Sequence, residues 1–151
     1  MLDAGKTRTQ VNTLPFPFNN RPFCHYEPIE QKIDYAKVLI VNNLLRYQED
    51  MSQLAHKEWG ENAESKLTFE RNISSMALNN IAQNIKRLVK QPKTLTVHLS
   101  ELADAARDFN PDAIVLSGTL SDFDYYNPQL LEHFKEFITK TEIPVLGICG
   151  G

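Results

Sequence analysis

The chain has 151 residues, of which 42% are hydrophobic and 23% charged, and its formal net charge is −3. This length and composition favour one soluble globular domain with a substantial core. The weak negative charge and the lack of a dense basic run argue against a nucleic-acid partner. No apolar stretch approaches the ~20 residues of a membrane span and residues 1–12 contain no apolar signal core, so we expect no membrane association, no secretion and a cytoplasmic protein.

Residues 1–36 are predicted to form an irregular arm. Four prolines break any helix there and disfavour a central strand. They are Pro15, Pro17, Pro22 and Pro28, and the aromatic residues between them are Phe16, Phe18, Phe23 and Tyr26. The composition indicates an arm that covers an apolar surface or contacts a partner, followed by an α/β domain over residues 37–151.

The first half of this domain predicts one strand followed by two helices. Residues 37–43 form a near-continuous β-rich apolar run, which is typical of a strand buried on both faces of a sheet. Apolar residues at helical spacing over 47–59 predict a helix that ends near Gly60. A second helical pattern runs through 73–89, and Pro92 is expected to close it.

The second half predicts strands and helices in alternation. Residues 94–99 alternate between apolar and polar side chains, as in a half-exposed edge strand. Ser100 is a candidate cap for the next helix, and a third strand over 112–118 ends in a glycine turn. The dipeptide Asn127-Pro128 predicts the start of a helix. Its apolar stripe is Leu130, Leu131, Phe134, Phe137 and Ile138.

A fourth strand, over 144–148, is predicted to be buried. The resulting order predicts an α/β fold with an open, mostly parallel, flavodoxin-like sheet of order 2-1-3-4 and helices on both faces. This order makes the third and fourth strands neighbours. Their carboxyl ends, at Gly118 and Cys149, are then expected to open into one crevice, which is where ligands bind in such sheets.

The sequence Gly147-Ile148-Cys149-Gly150-Gly151 after this strand has the Gly-x-Cys-x-Gly form of a nucleophile elbow. Small residues are needed there because larger side chains would collide with the backbone of the sharp turn. A cysteine thiolate attacks carbonyl carbon well. The alternative is a small buried cysteine at a strand end, and the flanking glycines favour the nucleophile.

An acyl-transfer reaction at Cys149 needs hydrogen-bond donors for its oxyanion. The elbow predicts one donor, the amide of Gly150, and the loop after the neighbouring strand predicts a second at Gly118-Thr119. Both cysteines, Cys24 and Cys149, are expected to be free thiols in a reducing compartment.

The other polar candidates are not placed beside Cys149 by their sequence positions. The histidines are expected at the surface: His25, His56, His98 and His133. Asp122 and Asp124 are expected to be solvated loop acids. Tyr125 and Tyr126 are expected to pack in the turn, with a substrate-lining role as the alternative.

Residues 143–151 and 111–118 resemble the nucleophile segment and the oxyanion strand of the class I (triad) glutamine amidotransferases, and residues 37–43 are similar to that family's first strand. The resemblance implies hydrolysis of the glutamine γ-amide through a cysteine thioester, with ammonia delivered to a synthase domain or subunit. It implies Cys149 as the nucleophile, the amides of Gly150 and Thr119 as oxyanion donors, and Gly118 as the shaper of the second turn. No metal or cofactor is implied.

The chain departs from the family pattern in three places. Ser117-Gly118-Thr119 stands where the family usually has Ser-Gly-Gly-Pro-Gly, and about 63–90 is an inserted helix. The family's catalytic His-x-Glu pattern is absent, so we expect the N-terminal portion of a longer domain, with little glutaminase activity in these 151 residues. Two alternatives stay open, a γ-glutamyl peptide hydrolase of the same fold and a non-catalytic or truncated interaction module. The acceptor substrate and the synthase are not predicted.

Overall fold

The structure is a computed structural model that describes residues 30–151. The predicted arm up to residue 29, with Cys24 and His25, lies outside the described residues. The strands are β1 (Ile33–Asn42), β2 (Val89–His98), β3 (Ala113–Leu116) and β4 (Val145–Gly147). The α-helices are α1 (Gln53–Trp59), α2 (Ala63–Leu88), α3 (Leu102–Phe109) and α4 (Pro128–Lys140).

The strands form one open sheet of order β2-β1-β3-β4 in which every pair is parallel. This arrangement confirms the predicted α/β class and the flavodoxin-like order. Strand β1 is central, and its residues Val38, Leu39, Ile40 and Val41 are all buried. A run that is apolar at every position suits a strand covered on both faces.

Each face of the sheet has its own apolar core. On one face, Leu39 and Ile114 belong to a cluster with residues of α1 and α3, and the predicted apolar stripe of α4 packs against it. On the other face, Ile40 and Val115 pack against Ile85 of α2. The helices therefore cover both faces, as predicted.

Two elements begin or end elsewhere than predicted. Helix α1 starts at Gln53, not near residue 47, because the Ser52 side chain accepts a hydrogen bond from the amide of Ala55 and caps the helix there. Helix α2 ends at Leu88, and Pro92, expected to close it, lies inside strand β2. An edge strand tolerates proline because its outer N–H groups need no partner within the sheet.

Strand β4 was expected to be buried, and this expectation is wrong for the described residues. All three of its residues are exposed, with Leu146 at 61% relative accessibility. The reason is that, within residues 30–151, β4 pairs with β3 alone. Strand β1 also differs, since it begins at Ile33, inside the stretch assigned to the arm.

No helix within residues 30–151 combines the length and the apolar character needed to cross a membrane.

Candidate active site

Cys149 lies in a tight turn directly after β4. The register pairs Leu116 with Gly147, and one residue further the amide of Ile148 donates to the carbonyl of Leu116 at 3.1 Å. The amide of Gly151 then donates to the carbonyl of Ile148 at 3.0 Å and closes the turn. The strand is thus held by β3 up to the residue before the cysteine.

The backbone of Cys149 has a φ of +56°, in the left-handed region that non-glycine residues rarely occupy. Such a conformation costs about 1–3 kcal/mol and concentrates at functional sites. A strained nucleophile at a strand-to-helix turn is the feature that defines the elbow. The thiol is free and exposed.

The glycines around Cys149 are required by close approach of neighbouring atoms. A Cβ on Gly147 would lie 2.7 Å from the carbonyl carbon of Gly151, so a side chain there would collide with the turn itself. A Cβ on Gly151 would lie 2.6 Å from the carbonyl oxygen of Ser117. The turn therefore packs against the end of β3 with no room for side chains at either end.

The loop after β3 touches the cysteine turn at two points. A Cβ on Gly118 would lie 3.1 Å from the Cβ of Cys149, so that glycine makes room for the cysteine. The side chain of Thr119 covers Gly150, because a Cβ on Gly150 would collide with the Thr119 hydroxyl. The structure thus brings together all six predicted site residues, which are Gly118, Thr119, Gly147, Cys149, Gly150 and Gly151.

Thr119, which stands where the resembling family usually has glycine, adopts no left-handed backbone conformation in this loop. Among the described residues, the non-glycine positions with positive φ are Asn110 and Cys149, so Thr119 keeps an ordinary backbone. No acceptor within residues 30–151 takes a hydrogen bond from the amide of Thr119 or of Gly150. Within these residues, both amides that the sequence predicts as oxyanion donors are without an acceptor.

Asn43 is a buried polar residue that the sequence did not single out, and it is bonded to Ser117 at the end of β3. The amide of Asn43 donates to the Ser117 hydroxyl at 2.9 Å, and its side-chain amide donates to the Ser117 carbonyl at 3.1 Å. The Tyr126 hydroxyl donates to the carbonyl of Asn43 at 2.6 Å. Burial raises the pKa of Tyr126, so this donor keeps its proton. Tyr126 is thus a packing residue of the turn, as expected.

Glu70, on the inserted helix α2, is a second residue that the sequence did not single out. Its side chain is buried, accepts from the amide of Leu45 at 2.9 Å and accepts a short hydrogen bond from the Ser121 hydroxyl. Burial raises the pKa of this carboxyl, while the Ser121 hydrogen bond opposes the rise. The available signal was spacing, because Ala63, Leu67 and Ser74 are buried on the same helical face.

His98 was expected at the surface, and this expectation is wrong. The imidazole is buried, its Nε2 lies 3.0 Å from the carbonyl oxygen of Leu44, and its Nδ1 accepts from the amide of Ser100. These partners correspond to a neutral ring with the proton on Nε2. Burial lowers the pKa of His98 despite the carboxylate of Asp50 at 3.7 Å. Ser100 itself lies in a 3-10 turn and does not cap α3.

His98 also lies at the wrong edge of the sheet to act on Cys149. It ends β2, which is three strand positions from β4, or about 14 Å at the usual strand spacing. His56 and His133 are exposed on α1 and α4, as expected. In the part of the chain that the structure describes, no side chain is hydrogen-bonded to the thiol of Cys149.

The remaining polar candidates from the sequence are Asp122, Asp124 and Tyr125. Asp122 and Asp124 are exposed, as expected. Tyr125 packs against Trp59 with 5.2 Å between ring centroids, and its hydroxyl donates to Glu58. No group of three or more histidine, cysteine or acidic side chains within residues 30–151 is arranged to hold a metal ion.

Fold and turn together describe an open parallel α/β protein that presents an exposed cysteine in a strained turn. No protein-family model, no curated protein and no solved structure matches the chain.

Proposed function

We propose that Cys149 is the nucleophile of a glutamine amidotransferase-like reaction. The thiolate attacks the γ-carboxamide carbon of glutamine, a γ-glutamyl thioester forms, and ammonia leaves with the proton that a general acid supplies. The observation that carries the proposal is the positive φ of Cys149 in a turn packed against Gly118. A cysteine that only packs at a strand end would not require a positive φ.

The two loops supply the electrostatic part of the mechanism. Attack on the amide places negative charge on the carbonyl oxygen, and the amides of Gly150 and Thr119 are the donors for it. Each such donor typically lowers the barrier by about 3 kcal/mol. Both donors follow directly after paired strands, β3 and β4, which supports their being positioned before the substrate binds.

The choice of glutamine rests on the resemblance of residues 111–118 and 143–151 to the amidotransferase family. A general base is also required, and the resemblance implies that it comes from a His-x-Glu pattern outside these residues. We propose that the complete protein delivers ammonia to a synthase domain or subunit in the cytoplasm.

A glutamine-analogue electrophile, 6-diazo-5-oxo-L-norleucine, tests the proposal in the complete protein. Peptide mapping by mass spectrometry is expected to find the adduct on Cys149. The Cys149→Ala variant is expected to lose the adduct, whereas the matched variant Cys24→Ala keeps it. Equal labelling of the two cysteines, or labelling that persists in Cys149→Ala, would contradict the assignment.

A further inference from the structure

A cavity of about 430 Å³ lies between helix α2 and the loop after β3. Its size is within the range of small-molecule pockets, about 300–1,000 Å³. The lining residues are Trp59, Ser65, Lys66, Phe69, Glu70, Leu120 and Ser121. We call it the α2 cavity. The reaction proposed for Cys149 uses none of its side chains.

The α2 cavity carries one group of each charge. Lys66 and Glu70 are four residues apart on α2, so the helix places them on the same face, one turn apart. The ammonium of Lys66 lies 5.3 Å from the ring centroid of Trp59, and no ion pair joins it to a carboxylate within residues 30–151. It is therefore available to an anionic group of a ligand.

Glu70 supplies the negative charge from the buried side of the cavity. Its two oxygens each accept one hydrogen bond, from the amide of Leu45 and from the hydroxyl of Ser121. A carboxylate offers about four lone-pair positions, so acceptor capacity remains for a ligand donor. A cation bound there would also be a partner for a charge that burial otherwise disfavours.

The remaining walls are apolar and partly open to solvent. Phe69 is 57% exposed and Leu120 is 49% exposed, whereas Trp59 is almost buried. Phe69 and Leu120 come from the two sides of the cavity, the helix and the loop. An apolar group placed between them would remove both side chains from water, which is favourable in proportion to the area covered.

We propose that the α2 cavity binds an α-amino acid with an apolar, aromatic side chain. The ligand ammonium binds Glu70, its carboxylate binds Lys66, and its ring packs between Phe69 and Leu120. A ligand with only a negative charge would give Glu70 no cationic partner and would face it with a like charge. A neutral apolar compound would use neither charged group, so a zwitterion is the class that matches both.

This binding site is distinct from the glutamine chemistry proposed at Cys149, although the two share a loop. Leu120 and Ser121 follow Thr119, and three Cα steps from Gly118 to Ser121 span at most about 11 Å. Glutamine is therefore the competing ligand that an experiment must include. Tighter binding of glutamine than of an aromatic amino acid would make the cavity part of the substrate site.

The chain contains a single tryptophan, Trp59, and it lines the cavity, so its fluorescence reports occupancy. The complete chain is titrated with L-phenylalanine and with analogues that each lack one group. These are 3-phenylpropionate without the ammonium, 2-phenylethylamine without the carboxylate, and L-alanine without the ring. Phenylalanine is expected to give a saturable change, and each analogue is expected to bind at least about tenfold more weakly.

Variants assign each ligand group to its side chain. In Lys66→Met, phenylalanine and 2-phenylethylamine are expected to bind equally, because the carboxylate has lost its partner. In Glu70→Gln, phenylalanine is expected to lose its advantage over 3-phenylpropionate. The glutamine side chain introduced at position 70 can still accept from the amide of Leu45. The Ser121 hydroxyl can turn to accept from the new side-chain NH₂ group, so the fold is retained. Lys57→Met is the matched control, since Lys57 is exposed on α1 outside the cavity.

Three results would overturn the proposal. They are an unsaturable response to phenylalanine in the wild-type chain, analogues that bind as tightly as phenylalanine, and tighter binding of L-glutamine. The Cys149→Ala variant is expected to bind phenylalanine like the wild type. Failure of the cavity proposal would therefore leave the labelling of Cys149 unaffected, and the reverse also holds.

Discussion

The carboxyl ends of strands β2 and β4 present two polar side chains in opposite conditions. At the end of β2, His98 is buried, both ring nitrogens have hydrogen-bond partners, and the backbone is extended. At the end of β4, Cys149 is exposed and its backbone is strained. The neighbouring amides of Thr119 and Gly150 donate to no acceptor within the described part of the chain.

The difference separates a structural polar group from a reactive one. Buried polar groups are satisfied by partners because an unmade hydrogen bond costs about 1–3 kcal/mol. Backbone strain lowers stability, so it persists where surrounding structure enforces it, and it concentrates at functional sites. His98 therefore stabilises the fold, and Cys149 is the candidate for chemistry. Variants at the two strand ends test this separation.

Gly147→Ala is expected to have the largest effect on the cysteine turn. The new methyl group would meet the backbone of Gly151 and displace the turn, and a misplacement of about 1 Å can cost about 10²-fold in rate. The rate of Cys149 labelling by the glutamine analogue is therefore expected to fall about 10²-fold. Leu146→Ala, at the exposed neighbouring position, should label normally. Equal rates in the two variants would show that the turn geometry is unimportant.

His98→Ala is expected to destabilise the fold without changing the reactivity of Cys149. It removes the partners of Leu44 and Ser100 and leaves a cavity, at a cost of about 2–4 kcal/mol. Urea unfolding measures this loss, and labelling of the folded fraction is expected to match the wild type. His133→Ala, on exposed α4, is the control with little effect. A labelling defect in folded His98→Ala would break the comparison.

The pH dependence of stability should carry the signature of His98. Its folded pKa lies below the usual value of 6.5, so the unfolded chain binds the proton more readily. Stability is then fully present above pH 6.5 and is lost as the pH falls through 6.5 toward the folded pKa. The His98→Gln variant should lack this part of the decline. Parallel wild-type and variant curves of unfolding free energy between pH 7.5 and about 5 would be inconsistent with a neutral buried ring.

Glu70 is expected to give a smaller slope of the opposite sign. Its folded pKa is raised above the usual 4.5, so the folded state binds the proton more readily. Its contribution is fully present below pH 4.5 and is lost as the pH rises through the folded pKa. Glu70→Gln is expected to remove this slope in the same unfolding series. Glu64→Gln changes an exposed position of α2. If the slope disappeared in Glu64→Gln as it does in Glu70→Gln, the effect would not be specific to Glu70.

Much of the fold could be predicted because its signals are local. The apolar run of β1 and the Asn127-Pro128 start of α4 depend on neighbouring residues alone, and the alternation of strands and helices then limits the sheet order. The cysteine turn could also be predicted from neighbouring residues alone, because the Gly-x-Cys-x-Gly sequence places small residues where side chains would collide with the turn. The contacts of Gly118 and Thr119 with that turn agree with the neighbouring positions predicted for β3 and β4.

The unpredicted features depend on partners that are distant in sequence. His98 is buried because the carbonyl of Leu44, 54 residues away, accepts a hydrogen bond from its Nε2–H group. Glu70 is buried because Leu45 and Ser121, 25 and 51 residues away, donate to it. Alternation over residues 94–99 carries no information about such partners. Pro92 was misassigned because the alternation marks the strand only from residue 94, whereas β2 begins at Val89.

The most direct test of Cys149 as a glutamine-directed nucleophile compares the alkylation rates of the two cysteines by iodoacetamide. Quantitative peptide mapping of the complete protein follows Cys149 and Cys24 in parallel, with L-glutamine, with D-glutamine and without ligand. We predict that L-glutamine slows alkylation of Cys149, that D-glutamine does not, and that neither changes Cys24. An alkylation rate of Cys149 that is the same with and without saturating L-glutamine would contradict the account.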